Sequence, residues 1–451
     1  MSLILVEGAA LFAAVSGTII LWGRPLLLDW LDAATFVGQA TALSLCCIVA
    51  FYYNDLYDFR VVRSFSEFAT RLVQGLGVAL LLLAGFYTLF PDMRLGNAAL
   101  VPSLLLIVGL LLPIRAVGYA VMRRRAFTDR VLILGTGPLA RKLVEEIEAR
   151  PHYRYQIVGV ADNDGHASTE EPIKYPLLGP LEHLDKIAAE MQVDRIIVAL
   201  GDRRGRMPMR QLLEAEAHGI LVEEGMTTYE YFTKKLAIEA LSPSFLVFSR
   251  GFRKTKRQIA SRRLLSLMVA AAGLVVTAPL LALIALAIAL DSRGPVLFVH
   301  ERAGYRGRPF RLVKFRTMRG QPTPSSDSVW HRDDDGRITR VGGWLRKLRL
   351  DELPQLWNIL KGDMDLVGPR PEVVENVHVM AEMIPYYSLR HVVRPGLTGW
   401  AQVRYGYSVS LEQVTEKMRY DLFYIKHMSF WLDVRILIDT VKIALFGRGA
   451  Q

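Results

Sequence analysis

The chain has 451 residues, of which 51% are hydrophobic, and its 55 basic against 44 acidic residues give a net charge of +11. The mean hydropathy of +0.24 is high for a soluble protein, and the apolar residues form long runs, which is typical of membrane helices. The basic residues flank these runs or lie in the last domain, without a nucleic-acid-binding motif. Lipid headgroups and phosphorylated substrates are therefore the expected partners, and nucleic acid is not. The adjacent Cys46 and Cys47 exclude a disulfide framework.

Four apolar runs come first, over residues 3–22, 34–53, 72–90 and 98–122. Each is close to the roughly 20 residues that a membrane-spanning helix needs, so residues 1–125 are predicted to be a four-helix transmembrane region. Arginines cluster between residues 54 and 71 and again directly after residue 122. The positive-inside rule therefore places everything after residue 122 in the cytoplasm of a multi-pass inner-membrane protein. Glu7 is either interfacial or a functional intramembrane carboxylate.

Residues 126–250 have the pattern of a Rossmann-like α/β module. A buried strand at 131–134 leads into a G-x-G-x-x-A turn with Gly135 and Gly137, and a strand at 157–161 ends in Asp162. Such glycines let the backbone approach a phosphate at a helix N-terminus, and such an acid can accept a ribose hydroxyl. No Tyr-x-x-x-Lys pair or other redox residues follow. Two alternatives stay open: a structural module without chemistry, or a sensor of a nucleotide or nucleotide sugar.

The last segment, residues 251–451, begins with a basic linker and a fifth apolar run at 264–290. Both flanks of this run are basic, so a spanning helix would place one basic cluster outside the cell. Pro279 removes a helix hydrogen bond, and Thr277 is a candidate partner for a freed backbone group. We therefore predict a helix, a break at Pro279 and a second helix that returns to the same side. The alternative is an ordinary kinked spanning helix.

The densest pattern lies at residues 349–372, R-L-D-E-L-P-Q-L-W-N-I-L-K-G-D-M-D-L-V-G-P-R-P-E. Asp351 and Glu352 precede a proline that starts a helix, predicted over 355–361 and ended by Gly362. A turn with two prolines then presents Arg370 on a stiff loop. Adjacent carboxylates point in different directions on a helix and suit two different roles.

Over roughly residues 253–451 the sequence resembles the bacterial membrane phosphoglycosyl transferases, the polyprenyl-phosphate hexose-1-phosphate transferases. The resemblance is carried by the segment above, by Lys-Phe-Arg-Thr-Met at 314–318, by Arg-Pro-Gly-Leu-Thr-Gly-Trp-Ala-Gln at 394–402, and by the tail motif at 420–426. The four helices and the Rossmann-like module suit the long form of that family. The expected fold is thus membrane α plus α/β: four transmembrane helices, a Rossmann-like domain, and an α/β catalytic domain with a re-entrant helix.

The resemblance also implies residue roles. Asp351 would be a nucleophile that forms an acyl phosphate, and Glu352 would hold Mg²⁺. Basic side chains would bind the phosphates of the substrates, and one acid in the tail motif would assist the metal or the sugar. The phosphate-binding residues would be Lys314, Arg316, Arg349 and Arg370, with Arg349 directed to the lipid phosphate, and the assisting residue would be Asp421.

The implied reaction moves a hexose 1-phosphate from a UDP-sugar to undecaprenyl phosphate, releases UMP, and starts exopolysaccharide or glycoconjugate synthesis. Glucose or galactose is the expected sugar, downstream polysaccharide assembly enzymes are expected partners, and a homodimer is compatible with the sequence. The loop at 320–337 departs from the family pattern, which leaves the sugar open. Two other functions stay open: a non-catalytic sugar-nucleotide sensor, and a glycosyltransferase that moves only the sugar and releases UDP.

Overall fold

The computed structural model describes residues 2–22, 30–57, 65–122, 128–150, 154–163, 173–201, 207–241, 243–319, 337–405 and 410–446. The chain forms two compact units, residues 1–129 with 148–156, and residues 130–147 with 157–451. The loop predicted at 320–337 lies, apart from its last residue, outside the described residues.

The first unit consists mainly of four apolar helices. They are α1 (Ser2–Trp22), α2 (Trp30–Tyr53), α3 (Phe65–Leu89) and α4 (Asn97–Met122). By length and composition, the described segments Ala34–Tyr53, Phe65–Leu89 and Asn97–Val117 can cross a membrane, and Glu7–Leu21 is a shorter apolar segment. Helix α3 begins seven residues before the predicted apolar run at 72–90, because Phe68 belongs to its buried face.

A buried ion pair joins the first and fourth of these helices. Arg115 donates to Glu7 at 2.7 Å, and both side chains are about nine-tenths buried. The Arg115 guanidinium also lies 5.2 Å from the ring centre of Phe68. An isolated charge in an apolar bundle is costly, and pairing removes most of that cost. Glu7 is therefore a paired carboxylate inside the helix bundle, and its partner within the apolar run of α4 was not predicted from the sequence. Its position relative to the membrane interface stays a prediction.

The Rossmann-like module is a four-stranded sheet in the order β2-β1-β3-β4, in which β1, β3 and β4 run parallel. Its strands are β1 (Asp129–Leu134), β2 (Tyr155–Ala161), β3 (Arg195–Val198) and β4 (Leu221–Glu224). Its helices are α5 (Pro138–Glu148), α6 (Leu184–Glu190), α7 (Met209–Ala217), α8 (Gly225–Thr233) and α9 (Pro243–Phe248). The strands predicted at 131–134 and 157–161 lie within β1 and β2.

The fifth apolar run forms helix α10 (Lys256–Asp291), which continues through Pro279. The predicted division into two separate helices is wrong, because no interruption occurs at Pro279. A proline removes a single hydrogen bond and can bend a helix without ending it, so a continuous helix is still compatible with a re-entrant course. The Thr277 hydroxyl donates to the carbonyl of Gly273 at 2.6 Å, the usual contact one turn back, and not to the carbonyl of Val275 that faces Pro279. The helix is long and apolar enough to span a membrane, and its re-entrant course stays a prediction.

The catalytic domain that follows is built from short elements around a buried centre. Its strands are β5 (Leu297–Ala303), β6 (Pro309–Phe315), β7 (Asp365–Val367) and β8 (Gly396–Thr398). Its helices are α11 (Arg340–Lys347), α12 (Gln355–Lys361), α13 (Val374–Met383), α14 (Trp400–Arg404), α15 (Leu411–His427) and α16 (Phe430–Phe446). Strands β5 and β6 pair antiparallel, and β7 and β8 pair parallel.

Glycines allow β7 and β8 to meet at their ends. A Cβ on Gly396 would lie 2.0 Å from the backbone nitrogen of Gly368, and one on Gly399 would lie 2.2 Å from the Gly368 carbonyl oxygen. No larger residue fits such an approach. The glycines of the segment 394–402 therefore serve close backbone packing.

Both ends of α10 are tied to this one domain. At the start of the helix, Arg262 donates to Asp433 at 2.6 Å and Arg263 donates to Asp365 at 2.9 Å. At its end, Arg316 donates to the Ser292 carbonyl at 2.6 Å. A helix that crossed the bilayer would have its ends about 30 Å apart on opposite sides. Attachment of both ends to one domain therefore supports the re-entrant prediction.

Helix α15 has one face on the Rossmann-like module and another on the catalytic core. Glu416 and Arg419 form ion pairs with Lys235 and Glu239 of the module. Nearby, the Trp400 indole donates to the Lys234 carbonyl at 3.0 Å. The fold class predicted from the sequence is confirmed, with the module and the catalytic domain packed together in the second unit.

Candidate active site

The two adjacent carboxylates lie in a single 3₁₀ turn, Leu350–Glu352, directly before α12. The turn is entered through Arg349, whose φ of 54° is in the left-handed region; a non-glycine residue there costs roughly 1 kcal/mol. Helix α12 covers Gln355–Lys361 and ends at Gly362 with a φ of 99°. The helix predicted from the sequence is confirmed at both ends, and the strained entry fixes where the carboxylates project.

Glu352 points inward and is surrounded by positive charge. Its Oε1 accepts hydrogen bonds from Lys314 at 3.1 Å and from Arg370 at 2.9 Å, and the residue is 9% exposed. Burial alone would raise the pKa of this carboxyl, but the charges of Arg370 and Lys314 lower it to about 2. Glu352 is therefore ionised throughout the physiological range.

Asp351 occupies a different environment one residue earlier. It is half-buried, and burial together with the negative charge of Glu352 raises its pKa above the ordinary value, despite the opposing charge of Lys314. A carboxylate that is poorly neutralised and partly desolvated is a stronger nucleophile than one held in an ion pair. The two carboxylates are thus differentiated by their surroundings, as paired functional acids commonly are.

The two cations reach Glu352 from separate elements. Lys314 is on β6, and Arg370 is on the turn between β7 and α13. Asn358 ties α12 to β6, because its amide donates to the Arg311 carbonyl at 2.7 Å and accepts from the Val313 amide at 3.0 Å. This clamp keeps Lys314 beside the turn that carries the carboxylates.

Arg316 does not join this cluster, although the sequence placed it with Lys314. Its guanidinium donates to the carbonyls of Ser292 and Arg293 at 2.6 and 3.1 Å, so it holds the end of α10. These carbonyls belong to the two residues that follow the helix, and Arg316 also donates to the Ser292 hydroxyl at 2.9 Å. Its position does not support the predicted phosphate contact.

The side chains of the other two predicted residues also do not join the cations around the Glu352 carboxylate. Arg349 is exposed at the entry to the turn, and its predicted role toward a lipid phosphate stays a prediction. Asp421 is 1% exposed on α15, where its carboxylate accepts from Arg390 at 2.9 Å. A fully buried, paired carboxylate is badly placed to contact a metal or a sugar directly.

The carboxylates fit the predicted Mg²⁺ only as part of a larger ligand set. No group of three or more His, Cys, Asp or Glu side chains that could hold a metal occurs among the described residues. Mg²⁺ commonly binds through one or two carboxylates, with waters and substrate phosphates as the remaining ligands. Both protein bonds to Glu352 fall on Oε1, which leaves Oε2 as the oxygen suited to a metal.

The glycine turn of the module is arranged differently. Gly135 has a φ of 111°, and a Cβ there would lie 2.8 Å from the Ala199 carbonyl oxygen. The carboxylate of Asp162 accepts from both the backbone N–H and the hydroxyl of Thr136, at 2.9 and 2.7 Å. A Cβ on Gly137 would meet no atom of the described residues within 4 Å. One backbone N–H of the turn is therefore already bound by a carboxylate.

Comparison with known proteins places the dyad within a family domain. Residues 257–447 match the bacterial sugar transferase family, and residues 53–214 match a CoA-binding domain. A UDP-glucose:undecaprenyl-phosphate glucose-1-phosphate transferase of Klebsiella pneumoniae is 30% identical over 85% of this chain and 84% of its own length. The chain belongs to the bacterial sugar transferase family. The family predicted from the sequence is thereby confirmed.

Two further relatives differ in coverage and in the sugar that they are named for. An undecaprenyl-phosphate glucose phosphotransferase of Komagataeibacter xylinus is 32% identical, and the match covers 76% of this chain and 65% of that relative. An N-acetylgalactosaminephosphotransferase of Aeromonas hydrophila is 44% identical, with 42% of this chain and 45% of that relative covered. Because these relatives are named for different sugars, similarity alone does not assign a sugar to this chain.

Sequence analysis missed several charged residues around the site. The charge of Arg346 on α11 opposes the rise in the pKa of Asp351 that burial and Glu352 cause. Arg390, Glu372 and Lys417 form a buried network with Asp421. A signal for part of it was present, because Lys417 and Asp421 are four residues apart and so share a helix face.

Proposed function

We propose that this protein transfers a hexose 1-phosphate from a UDP-sugar to undecaprenyl phosphate and so initiates the synthesis of an exopolysaccharide or glycoconjugate. The observation that carries the proposal is the unequal pair at residues 351 and 352. Glu352 is held by Lys314 and Arg370, and Asp351 beside it is half-buried with a raised pKa. The named activities of its relatives support the same reaction class.

In the proposed first step, a carboxylate oxygen of Asp351 attacks the phosphorus that carries the sugar. A P–O bond to the bridging oxygen breaks, and UMP leaves with the electron pair of that bond. In the second step, an oxygen of undecaprenyl phosphate attacks the same phosphorus and the Asp351 carboxylate is released. One phosphoanhydride is replaced by another, so downstream assembly enzymes must consume the product to draw the reaction forward.

The charge around Glu352 suits the entry of a diphosphate. Lys314 and Arg370 are the donors that a phosphate would attract, and the planar guanidinium can bind two phosphate oxygens at once. If Lys314 and Arg370 moved their hydrogen bonds from Glu352 to the substrate phosphates, this carboxylate would be free to hold Mg²⁺. Bound there, Mg²⁺ would neutralise the charge of the diphosphate and of the departing UMP.

The membrane setting follows from the apolar segments. Exposed apolar side chains cover α10, including Val275, Val276 and Leu290 with exposures of 75, 78 and 79%. Unpaired apolar surface of this extent fits lipid. We propose that the protein lies in the bacterial inner membrane with its catalytic domain on the cytoplasmic side, where α10 enters and leaves the bilayer on that same side.

An exchange experiment tests the reaction. Purified full-length protein is mixed with UDP-glucose or UDP-galactose, labelled UMP and Mg²⁺, without undecaprenyl phosphate. The proposal predicts that label enters the UDP-sugar, because the first step is reversible and needs no acceptor. Asp351→Asn should abolish exchange, whereas Asp363→Asn, a carboxylate beyond the other end of α12, should retain it. Release of UDP instead of UMP during full turnover would refute the proposal in favour of simple sugar transfer.

A further inference from the structure

A network of buried charges supports the turn that carries Arg370. The Arg390 guanidinium lies at its centre with 4% of the residue exposed, and Asp421 beside it is 1% exposed. Arg390 donates to the Asp421 carboxylate at 2.9 Å and to the Tyr387 hydroxyl at 2.7 Å. The same Nη2 that binds Asp421 also donates to the backbone carbonyl of Arg370 at 3.1 Å. The network thus contacts the residue that binds Glu352.

The turn needs such outside donors because of its composition. Pro369 and Pro371 have no backbone N–H, so the turn cannot hold itself with its own amides. Its neighbouring carbonyls are bound by backbone groups: Gly396 donates to Pro369 and Ala303 donates to Glu372, both at 2.9 Å. The carbonyl of Arg370 is instead bound by a side chain. Arg390 thus joins the backbone of Arg370 to the buried Asp421 carboxylate.

Two further residues complete the charge balance. Lys417 donates to Glu372 at 2.8 Å, and Arg390 lies 3.5 Å from the same carboxylate. Burying ionic groups gives little net stability compared with apolar residues of similar size. What such a network does provide is a fixed direction for each hydrogen bond, which an apolar core cannot supply. This supports a geometric role for the network.

We propose that Arg390, held by Asp421, is a positioning residue that sets the place of Arg370 for the reaction. This inference rests on the proposed transfer reaction. It gives Asp421 a supporting role through Arg390, in place of the direct contact with metal or sugar that the sequence predicted. Displacement of a catalytic group by about 1 Å can lower a rate about 100-fold, so a loss of that order is the largest effect expected.

A double-mutant cycle separates positioning from general stability. Arg390→Lys keeps the charge but cannot bind Asp421, Tyr387 and the Arg370 carbonyl together. We expect it to lower kcat about 10- to 100-fold, with a smaller change in KM. We expect Arg370→Lys to keep some activity because it keeps the positive charge. In that background Arg390→Lys should lower kcat less than about threefold, because displacing a group that is already impaired has little further effect.

Arg404→Lys is the matched control. Arg404 is a partly buried arginine of the same domain that pairs with Asp439 at 3.6 Å and stacks on Trp400. Arg404→Lys should leave kcat nearly unchanged both in the wild type and in the Arg370→Lys background. If Arg390→Lys does not yield folded protein, Asp421→Asn tests the same link with almost no change in shape, and the same non-additivity is expected.

The outcomes are distinguishable. Absence of exchange and transfer in the wild type would refute the proposed reaction itself. An active wild type in which Arg390→Lys, or Asp421→Asn in its place, lowers kcat equally in both backgrounds would overturn the positioning role. So would an Arg390 variant that behaves like the Arg404 control.

Discussion

The dyad turn, at residues 350–352, and the glycine turn, at residues 135–137, were both predicted from short motifs. At each turn a carboxylate accepts hydrogen bonds from groups that could also bind a phosphate. At the dyad, Glu352 binds two side-chain cations, which can move to a substrate because they lie at the ends of flexible chains. At the glycine turn, Asp162 binds the backbone and side chain of Thr136, and a backbone N–H cannot move. To bind the same Thr136 groups, a ligand phosphate would have to replace the Asp162 carboxylate.

The comparison indicates that a phosphate-binding motif needs hydrogen-bond donors that a ligand can take over from their partners in the protein. The module retains the fold of a nucleotide-binding domain, but its turn is closed by its own acid. This geometry favours the alternative in which the module has a structural role without chemistry. The ion pairs between the module and α15 are consistent with such a supporting role. The dyad differs in three respects: its carboxylate is bound by side-chain cations, a half-buried acid lies beside it, and an exposed arginine stands at its entry.

Apart from the loss of the nucleophile Asp351 itself, the largest effect is expected at Glu352. If it holds the metal and orders the cations, Glu352→Gln should lower the transfer rate by about three orders of magnitude, because electrostatic stabilisation dominates phosphoryl transfer. The concentration of Mg²⁺ for half-maximal rate should also rise. Steady-state rates across a Mg²⁺ series measure both. If Glu352→Gln loses thermal stability but keeps its transfer rate, the role of Glu352 is structural, as we expect for Asp162.

A somewhat smaller effect is expected at Arg370. Its guanidinium binds Glu352 on a turn stiffened by two prolines, so Arg370→Ala should reduce kcat/KM about 100- to 1000-fold. The control is Arg210→Ala, since Arg210 is an 86% exposed arginine of the module. Equal activities for the two variants would contradict a site at the dyad.

The pH dependence of transfer provides a third test. The nucleophile must be ionised, so the rate should fall as pH drops through the raised pKa of Asp351. Glu352→Gln removes the neighbouring negative charge that helps to raise this pKa, so the acid limb of the profile should move to lower pH. Residual rates of this variant from pH 4 to 8 provide the check. A shift to higher pH would mean that the limb belongs to another group.

The smallest effect on activity is expected at the glycine turn. Asp162→Asn should change the transfer rate less than about twofold, while the lost charged hydrogen bonds lower the stability of the module by roughly 1 kcal/mol. Thermal unfolding and steady-state rates of the purified variant measure these quantities. A rate loss comparable to that of the dyad variants would show that the module takes part in the reaction.

Local signals predicted most of the fold and part of the site. Hydrophobic run length gave the apolar helices, and the proline and glycine around α12 gave its bounds. The interruption predicted at Pro279 failed because one lost hydrogen bond does not end a 36-residue helix. Arg316 and Arg370 look alike in sequence, and which of them reaches Glu352 depends on tertiary contacts more than 15 residues away. Such contacts leave no periodic signal.

The covalent intermediate is the central claim, and peptide mass spectrometry tests it most directly. Protein is mixed with UDP-glucose or UDP-galactose and Mg²⁺ without undecaprenyl phosphate, quenched rapidly and digested. We predict that the peptide containing Asp351 gains the mass of a hexose monophosphate less one water, and that Asp351→Asn shows no gain. An unmodified Asp351 peptide from protein that turns over once acceptor is added would contradict the covalent mechanism and favour direct attack by the lipid phosphate.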